Sequence, residues 1–193
     1  MFTDKTLLAL LTGAALLTAA CADSKAPPTR AGDIRPAPEF TVRAADGQTL
    51  TLDSFKNKIL LVNFWAVWSP PCAREIPELM HIRQSFGADA DRIAILGICL
   101  ESQNLSDVEQ VAAQFGINYP IVIAANNDLV ALFGGIDAIP TTFVIDPAGN
   151  IVNRYTGKIL PNELKHELAY MIDQIKTGEK DEADAAKFGI SGR

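Results

Sequence analysis

The chain has 193 residues, of which 48% are hydrophobic and 21% charged, and its formal net charge is −6. This composition suits one globular domain with a full core. The lysines and arginines do not cluster, which argues against a nucleic-acid-binding protein. The three cysteines, Cys21, Cys72 and Cys99, are too few for a disulfide scaffold. No group of residues has the spacing of metal ligands, and nothing in the sequence predicts a cofactor.

The first twenty residues have the pattern of an export signal. Residues 6–20 form an apolar stretch behind a single lysine, too short to span a bilayer comfortably. Small residues then precede Cys21, which resembles the cleavage box of bacterial lipoproteins, where the cysteine is lipidated. The alternative is simple cleavage after Ala20 or Ala22. We expect export to the periplasmic side of a bacterial membrane, with a lipid anchor at Cys21 in the first case.

A single domain is predicted after a short linker. Residues 21–37 are rich in proline and mixed in charge, which is typical of a linker. The domain is expected at residues 38–177 and opens with a β-hairpin around the turn at Asp46 and Gly47. Beyond Gly178 the chain becomes polar, so residues 178–193 are expected to form a frayed tail.

Strands and helices are predicted to alternate along this domain. Near-continuous apolar runs favour strands buried on both faces of a sheet, and apolar residues at helical spacing favour helices packed on it. A capping box is predicted to begin at Ser106, and Pro77 is predicted to kink the first helix. The predicted strands are 58–65, 93–100, 120–124, 141–146 and 151–155, and the predicted helices are 70–86, 106–116, 128–133 and 161–177.

The junction between the first buried strand and the first helix reads Ser-Pro-Pro-Cys at residues 69–72. A cysteine at a helix N-terminus has a lowered pKa, because free N–H groups and the helix dipole stabilise its thiolate. In a Cys-x-x-Cys pair the first cysteine attacks a disulfide and the second resolves the mixed disulfide. Here the first position is Ser69, whose hydroxyl stays un-ionised without an adjacent base. We interpret Ser69 as a helix N-cap, for which serine is among the best residues.

Two motifs resemble the TlpA/ResA-type thioredoxin-like family of exported bacterial proteins. The first covers residues 63–77 and the second residues 139–146. The resemblance extends over about residues 38–177 and implies the α/β thioredoxin fold: a central mixed β-sheet, helices on both faces and an N-terminal β-hairpin. It also implies thiol–disulfide exchange with protein thiols or disulfides as partners.

The resemblance implies a role for each site residue. Cys72 corresponds to the resolving cysteine, and Glu75 to the nearby acid that tunes thiol titration. Trp68 corresponds to the aromatic flank, and Pro140 to a cis-proline beside which a substrate peptide binds. The implied site residues are Trp68, Ser69, Pro70, Pro71, Cys72, Glu75, Ile139 and Pro140.

Three functional hypotheses follow from the loss of the first cysteine. In the first, ordinary dithiol exchange is disabled and Cys72 works as a single thiol that an external thiol resolves. Cys99 is an alternative internal resolver, although a packing role is expected for it. In the second, the protein is a redox-inactive module that binds an extended peptide client between Trp68 and Pro140. Cys72 is then an inert buried side chain.

The third hypothesis is a one-cysteine peroxidase. Peroxiredoxins carry Thr or Ser three residues before the reactive cysteine and an acid three residues after it, and Ser69, Cys72 and Glu75 fit this spacing. The peroxiredoxin proline is missing, with Trp65 in its place. The activating arginine is also missing near the second motif, where this chain has Pro140.

Overall fold

The computed structural model describes residues 34–100, 104–124 and 127–187, the last six of them as backbone only. The expected signal, most of the expected linker and Cys21 lie outside these residues. Within the described ranges, no helix is both long and apolar enough to cross a membrane.

Six strands form one mixed sheet with the order β1-β8-β7-β4-β5-β6. The central strand β4 pairs in parallel with β5 and antiparallel with β7, and β5 pairs in parallel with β6. Two further strands, β2 and β3, form the predicted separate hairpin. The strands are β1 Arg35–Pro36, β2 Thr41–Arg43, β3 Thr49–Thr51, β4 Ile59–Trp65, β5 Ile93–Leu100, β6 Ile121–Ala124, β7 Thr141–Ile145 and β8 Asn150–Thr156.

Helices and the hairpin cover the two faces of this sheet. The α-helices are α1 Pro70–Gln84, α2 Leu105–Phe115, α3 Asp128–Leu132 and α4 Pro161–Lys187, with 3₁₀ helices at Leu52–Phe55 and Gly87–Arg92. One face packs against α1 and α4 through Leu79, Leu164 and Leu168. The other packs against the hairpin and the end of α3 through Leu50 and Phe133. The expected thioredoxin-type architecture is confirmed.

Burial on both faces explains the apolar run of the central strand. Every residue of β4 is buried. Its alternate side chains point to opposite faces, so Leu61 contacts the α1 and α4 side while Leu60 contacts the hairpin side. The strand therefore lacks a polar face, and its carboxyl end delivers the chain directly to helix α1. The candidate site lies at this end of the sheet.

Three boundaries differ from the sequence predictions. Arg35–Pro36, placed in the linker, pairs with β8 and belongs to the sheet. Helix α2 is capped by Asn104, whose side chain accepts the Ser106 N–H, so the capping box predicted at Ser106 is wrong. The predicted end of helix α2 at Gly116 is confirmed, and Gly116 adopts the left-handed conformation.

The frayed tail predicted for residues 178–193 is contradicted as far as Lys187, to which α4 continues, and the rest of that tail lies outside the described residues. Two ion pairs connect this part of the helix to the 3₁₀ helix Gly87–Arg92. Arg92 donates both terminal nitrogens to the Glu179 carboxylate at 2.6 and 2.8 Å, and Lys176 contacts Asp89 at 2.7 Å. The polar sequence is therefore helical as far as Lys187, and residues 176–181 of it are exposed.

Candidate active site

Ser69 caps the helix that carries the cysteine. Its backbone is extended, and its side-chain oxygen accepts the Cys72 N–H at 3.4 Å. Its carbonyl accepts the Ala73 N–H at 3.1 Å, and its own N–H is donated to Ala66 at 3.1 Å. The hydroxyl is only 3% exposed. The predicted cap is confirmed, and the Ser69 oxygen lies where the attacking sulfur of a Cys-x-x-Cys pair would be expected.

The first turn of α1 has few free N–H groups. Pro70 and Pro71 occupy its first two positions and lack this donor. The Cys72 and Ala73 N–H groups are bonded to the Ser69 side chain and carbonyl. The donors that usually stabilise an anion at a helix N-terminus are therefore absent or already paired. This leaves a weak electrostatic basis for a thiolate in this turn.

Cys72 is a buried and poorly acidic thiol. Its side chain is 0% exposed and packs with Trp65, Ile76 and Cys99. Burial raises the thiol pKa above its ordinary value, hydrogen bonds from Ser69 and the backbone offset part of this, and the Glu75 charge raises it further. A thiol with a raised pKa and no exposed surface is a weak nucleophile at neutral pH.

Cys99 lies in the same apolar cluster as Cys72. It is 0% exposed in β5, and burial raises its pKa to about 11. Neither thiol takes part in a disulfide bond. The packing role expected for Cys99 is consistent with its surroundings, which include Val108 and Ile121.

Glu75 is a buried carboxyl held by three donors. It lies on α1 and is 4% exposed. Its Oε1 accepts from Asn63 Nδ2 at 3.0 Å and from Thr142 Oγ1 at 3.4 Å, and its Oε2 accepts the Ile159 backbone N–H at 3.0 Å. Burial raises its pKa to about 7, although these hydrogen bonds oppose the shift. Glu75 therefore changes charge near neutral pH.

The second motif forms the other wall of the site. The Ile139–Pro140 peptide bond is cis, as the resemblance implied. The Pro140 carbonyl accepts the Gly157 N–H at 2.8 Å, which fixes the motif to the connection between β8 and α4. Trp68 is 60% exposed, and Pro70 and Pro71 also face the solvent. The site thus presents an apolar exterior over a buried thiol.

One cleft is lined by residues of the candidate site, and another, larger cleft is not. A cleft of about 200 Å³ lies against α1 and is lined by Pro71, Arg74, Glu75, Glu78 and Lys158. Glu75 is the one buried residue of this lining. A larger cleft of about 440 Å³ lies near the amino end of β4 and is lined by Lys58 and Asp146 among others, but by no cysteine. In the described part of the chain, no cluster of His, Cys, Asp and Glu could hold a metal ion.

The structure therefore brings Ser69, Cys72 and Glu75 together on one turn and a half of helix. Asn63 and Thr142 were not predicted as site residues, although an asparagine within an otherwise apolar buried strand was a usable signal. The Ile159 donor is a backbone group, and the sequence carries no signal for it.

Comparison with known proteins agrees with this geometry. Residues 34–154 match the model of the AhpC/TSA family. The thiol-disulfide oxidoreductase ResA of Geobacillus thermodenitrificans is 33% identical over 135 residues, which cover 68% of this chain and 74% of that protein. ResA of Bacillus subtilis is 27% identical over 143 residues, covering 74% and 75%.

Solved structures show the same similarity. A thiol:disulfide interchange protein of the thioredoxin family from Chlorobium tepidum superposes with a TM-score of 0.64 at 31% identity, covering 72% of this chain and 97% of that one. A secreted thiol-disulfide isomerase from Corynebacterium glutamicum has a TM-score of 0.67 over 73% of this chain and 87% of that one, and at 22% identity it supports the fold alone. The chain belongs to the AhpC/TSA family and, within it, to the ResA-type thioredoxin-like thiol–disulfide oxidoreductases.

Proposed function

We propose that this protein is an exported, lipid-anchored family member in which ordinary dithiol exchange is disabled. It holds an extended peptide of a client protein beside Trp68 and the Ile139–Pro140 bond. Any residual redox chemistry passes through Cys72. The observation that carries this proposal is the Ser69 hydroxyl, which caps α1 next to a fully buried Cys72.

The chemistry of exchange explains why one sulfur is insufficient. A dithiol protein reduces a client disulfide to two thiols, and its own two thiols become a disulfide. Ser69 cannot supply the second sulfur. If Cys72 attacked, the mixed disulfide would persist until an external thiol displaced it. Because Cys72 is buried with a raised pKa, we expect this attack to be slow.

A peroxidase function has weaker support. A peroxidatic cysteine needs a stabilised thiolate and a neighbouring positive charge. The charged side chain that shifts the Cys72 pKa is Glu75, and it raises that pKa. The spacing of Ser69, Cys72 and Glu75 therefore reproduces the peroxiredoxin pattern without its electrostatics.

Export and anchoring rest on the sequence. The apolar stretch at residues 6–20 and the small residues before Cys21 support cleavage and lipidation. The mature protein's mass tests this directly. A mass raised by acyl groups on Cys21 is expected, and an unmodified chain that starts at Cys21 or Asp23 would contradict the anchor.

Peptide binding is tested by calorimetry with an extended, reduced and alkylated peptide that cannot form disulfides. We expect saturable binding that survives Cys72→Ala and weakens at least about tenfold in Trp68→Ala, since a buried aromatic contact contributes on the order of 1–3 kcal/mol. Tyr170→Ala is the matched control, because Tyr170 is an exposed aromatic on α4. Absence of binding, or equal loss in the control, would contradict the proposal.

A further inference from the structure

Glu75 connects four separate elements of the fold. It belongs to α1, Asn63 to β4, Thr142 to β7, and Ile159 to the connection between β8 and α4. Asn63 is 1% exposed and Thr142 is 0% exposed, so the Glu75 carboxyl is enclosed on the side of the sheet. A group in this position controls how the helix and the connection are held against the sheet.

The connection at residues 157–160 also contacts the cis-proline segment. Its Gly157 N–H bonds to the Pro140 carbonyl at 2.8 Å, and two residues later the Ile159 N–H bonds to Glu75. The Ile159 side chain is 1% exposed and anchored in the core, whereas the adjacent Leu160 is 53% exposed. The same short segment thus joins Glu75 to the wall of the proposed peptide groove.

The Asn63 side chain has an acceptor without a partner. Its Nδ2 donates to Glu75 Oε1 at 3.0 Å and to Thr142 Oγ1 at 2.9 Å. Its Oδ1 is buried and makes no hydrogen bond. Buried polar atoms are normally paired. A half-turn of the carboxamide would present Oδ1 to a protonated Glu75, so the pair is compatible with both charge states of the carboxyl.

Several charged or titratable groups face Glu75. Arg74 and Glu78 on α1 and Lys158 on the connection line the same cleft as Glu75. Cys72 lies on the same helix, and Tyr119 precedes β6. The Glu78 charge raises the pKa of Glu75, and ionised Glu75 in turn raises the pKa values of Cys72 and Tyr119.

We propose that Glu75 and Asn63 form a proton-sensitive latch that holds the connection at residues 157–160, and through it the cis-proline segment, against helix α1. With Glu75 ionised, the bond from the Ile159 N–H is charge-assisted and strong. Protonation converts it to a weaker neutral bond and loosens the connection. Any pH dependence of client binding that results from this latch rests on the proposed function. The latch itself is a property of the free protein and is measured without a client.

The test is an NMR pH titration of the isotopically labelled full-length chain. We expect the Glu75 side-chain carboxyl carbon and the Ile159 and Gly157 amide signals to share one midpoint near neutral pH. Above this midpoint, exchange of the Ile159 amide by local opening of the connection, with Glu75 still buried, should slow about fivefold, the difference between a charge-assisted and a neutral bond, even though the whole fold is less stable at that pH. An Ile159 signal that does not move while Glu75 titrates would overturn the latch in the unaltered chain, without any variant.

Substitutions test which residues form the latch. In Glu75→Gln the Ile159 signal should no longer titrate between pH 6 and 8. In the control Glu78→Gln the transition should persist with a slightly lower midpoint. Asn63→Ala should raise the midpoint, because it removes a donor to the carboxylate; an unchanged midpoint would remove Asn63 from the latch. A peptide that fails to bind at both pH 6 and pH 8 would contradict the proposed function, while the midpoints still decide the latch.

Discussion

Ser69 and Cys72 lie one turn apart at the start of α1 and are joined by a single hydrogen bond. The Cys72 N–H is bonded to the Ser69 oxygen, so the serine stabilises the helix rather than acting on a substrate. Because two prolines precede Cys72, this N–H is the first donor that the helix offers.

Removal of the cap should destabilise the protein. We expect Ser69→Ala to lower the free energy of unfolding by about 1 kcal/mol, the typical effect of losing a serine N-cap. Urea denaturation followed by circular dichroism measures this change. Ser106→Ala is the control, since Ser106 is exposed in the first turn of α2 and the Asn104 side chain caps that helix. Equal effects of the two substitutions would contradict the capping role.

The burial of Cys72 also predicts how fast its thiol reacts with an alkylating reagent. Because its side chain is 0% exposed and its pKa is raised, we expect iodoacetamide to modify it at pH 7 at least about a hundredfold more slowly in the native than in the denatured protein. Peptide mapping by mass spectrometry separates it from Cys21 and Cys99. Native labelling at the denatured rate would show that the buried thiol is accessible.

At the scale of elements, α4 extends well beyond its apolar face. Leu164, Leu168 and Ile172 pack on the sheet, as their spacing predicted. The continuation past Gly178 coincides with the ion pairs of Arg92 and Lys176 to Glu179 and Asp89. Arg92 lies 87 residues before Glu179 in the sequence, so local composition cannot reveal this contact. The polar composition alone predicts a frayed tail.

Loss of this contact should loosen the end of α4. In Arg92→Gln we expect faster hydrogen exchange at residues 179–187 in low salt, while residues 164–172 stay protected. High salt should reduce the difference, because exposed ion pairs are screened. Lys165→Gln, on the same helix, is the control. Unchanged exchange in Arg92→Gln would show that the extension is helical without the ion pairs.

The sequence predicted the elements better than the contacts of the site. Apolar runs and turn residues located all the long strands, and the Ser-Pro-Pro-Cys junction located the first helix and its cap. Asn63 and Thr142 meet Glu75 across the sheet through the pairing of β4 with β7, where Asn63 lies opposite Thr142. This meeting depends on strand order and register, which local patterns do not determine.

For the whole molecule, Glu75 links stability to pH. Its pKa is raised from 4.5 to about 7 in the folded protein, so the native state binds its proton more tightly than the unfolded state. The stability from this group is complete below about pH 4.5 and is lost as the pH rises to about 7. We expect a loss of up to about 3 kcal/mol across this interval.

Urea denaturation at pH 5 and pH 8 measures this linkage. The unaltered protein should be less stable at pH 8, and Glu75→Gln should remove most of the difference because glutamine stays neutral. Glu78→Gln should retain it. A protein equally stable at both pH values, or a Glu75→Gln variant with the same pH dependence, would show that Glu75 does not titrate as described.

The molecule as a whole retains the architecture of a thiol–disulfide oxidoreductase. The sheet, the helix that carries Cys72, the buried acid and the cis-proline are all in place, and Ser69 caps that helix three residues before Cys72. We propose that the Ser69 oxygen takes the place of the attacking sulfur, and that this one atom separates the chain from an ordinary dithiol enzyme.

Reduction of insulin disulfides in the presence of dithiothreitol tests this claim most directly. The unaltered protein should match the uncatalysed rate, and Ser69→Cys should accelerate the reaction at least about tenfold, since a sulfur at this position can both attack and be resolved by Cys72. In a separate reaction without dithiothreitol, the double variant Ser69→Cys/Cys72→Ala should accumulate mixed disulfide with insulin, because no second thiol is present to resolve it. Catalysis by the unaltered protein that disappears in Cys72→Ala, or an inactive Ser69→Cys, would contradict the account.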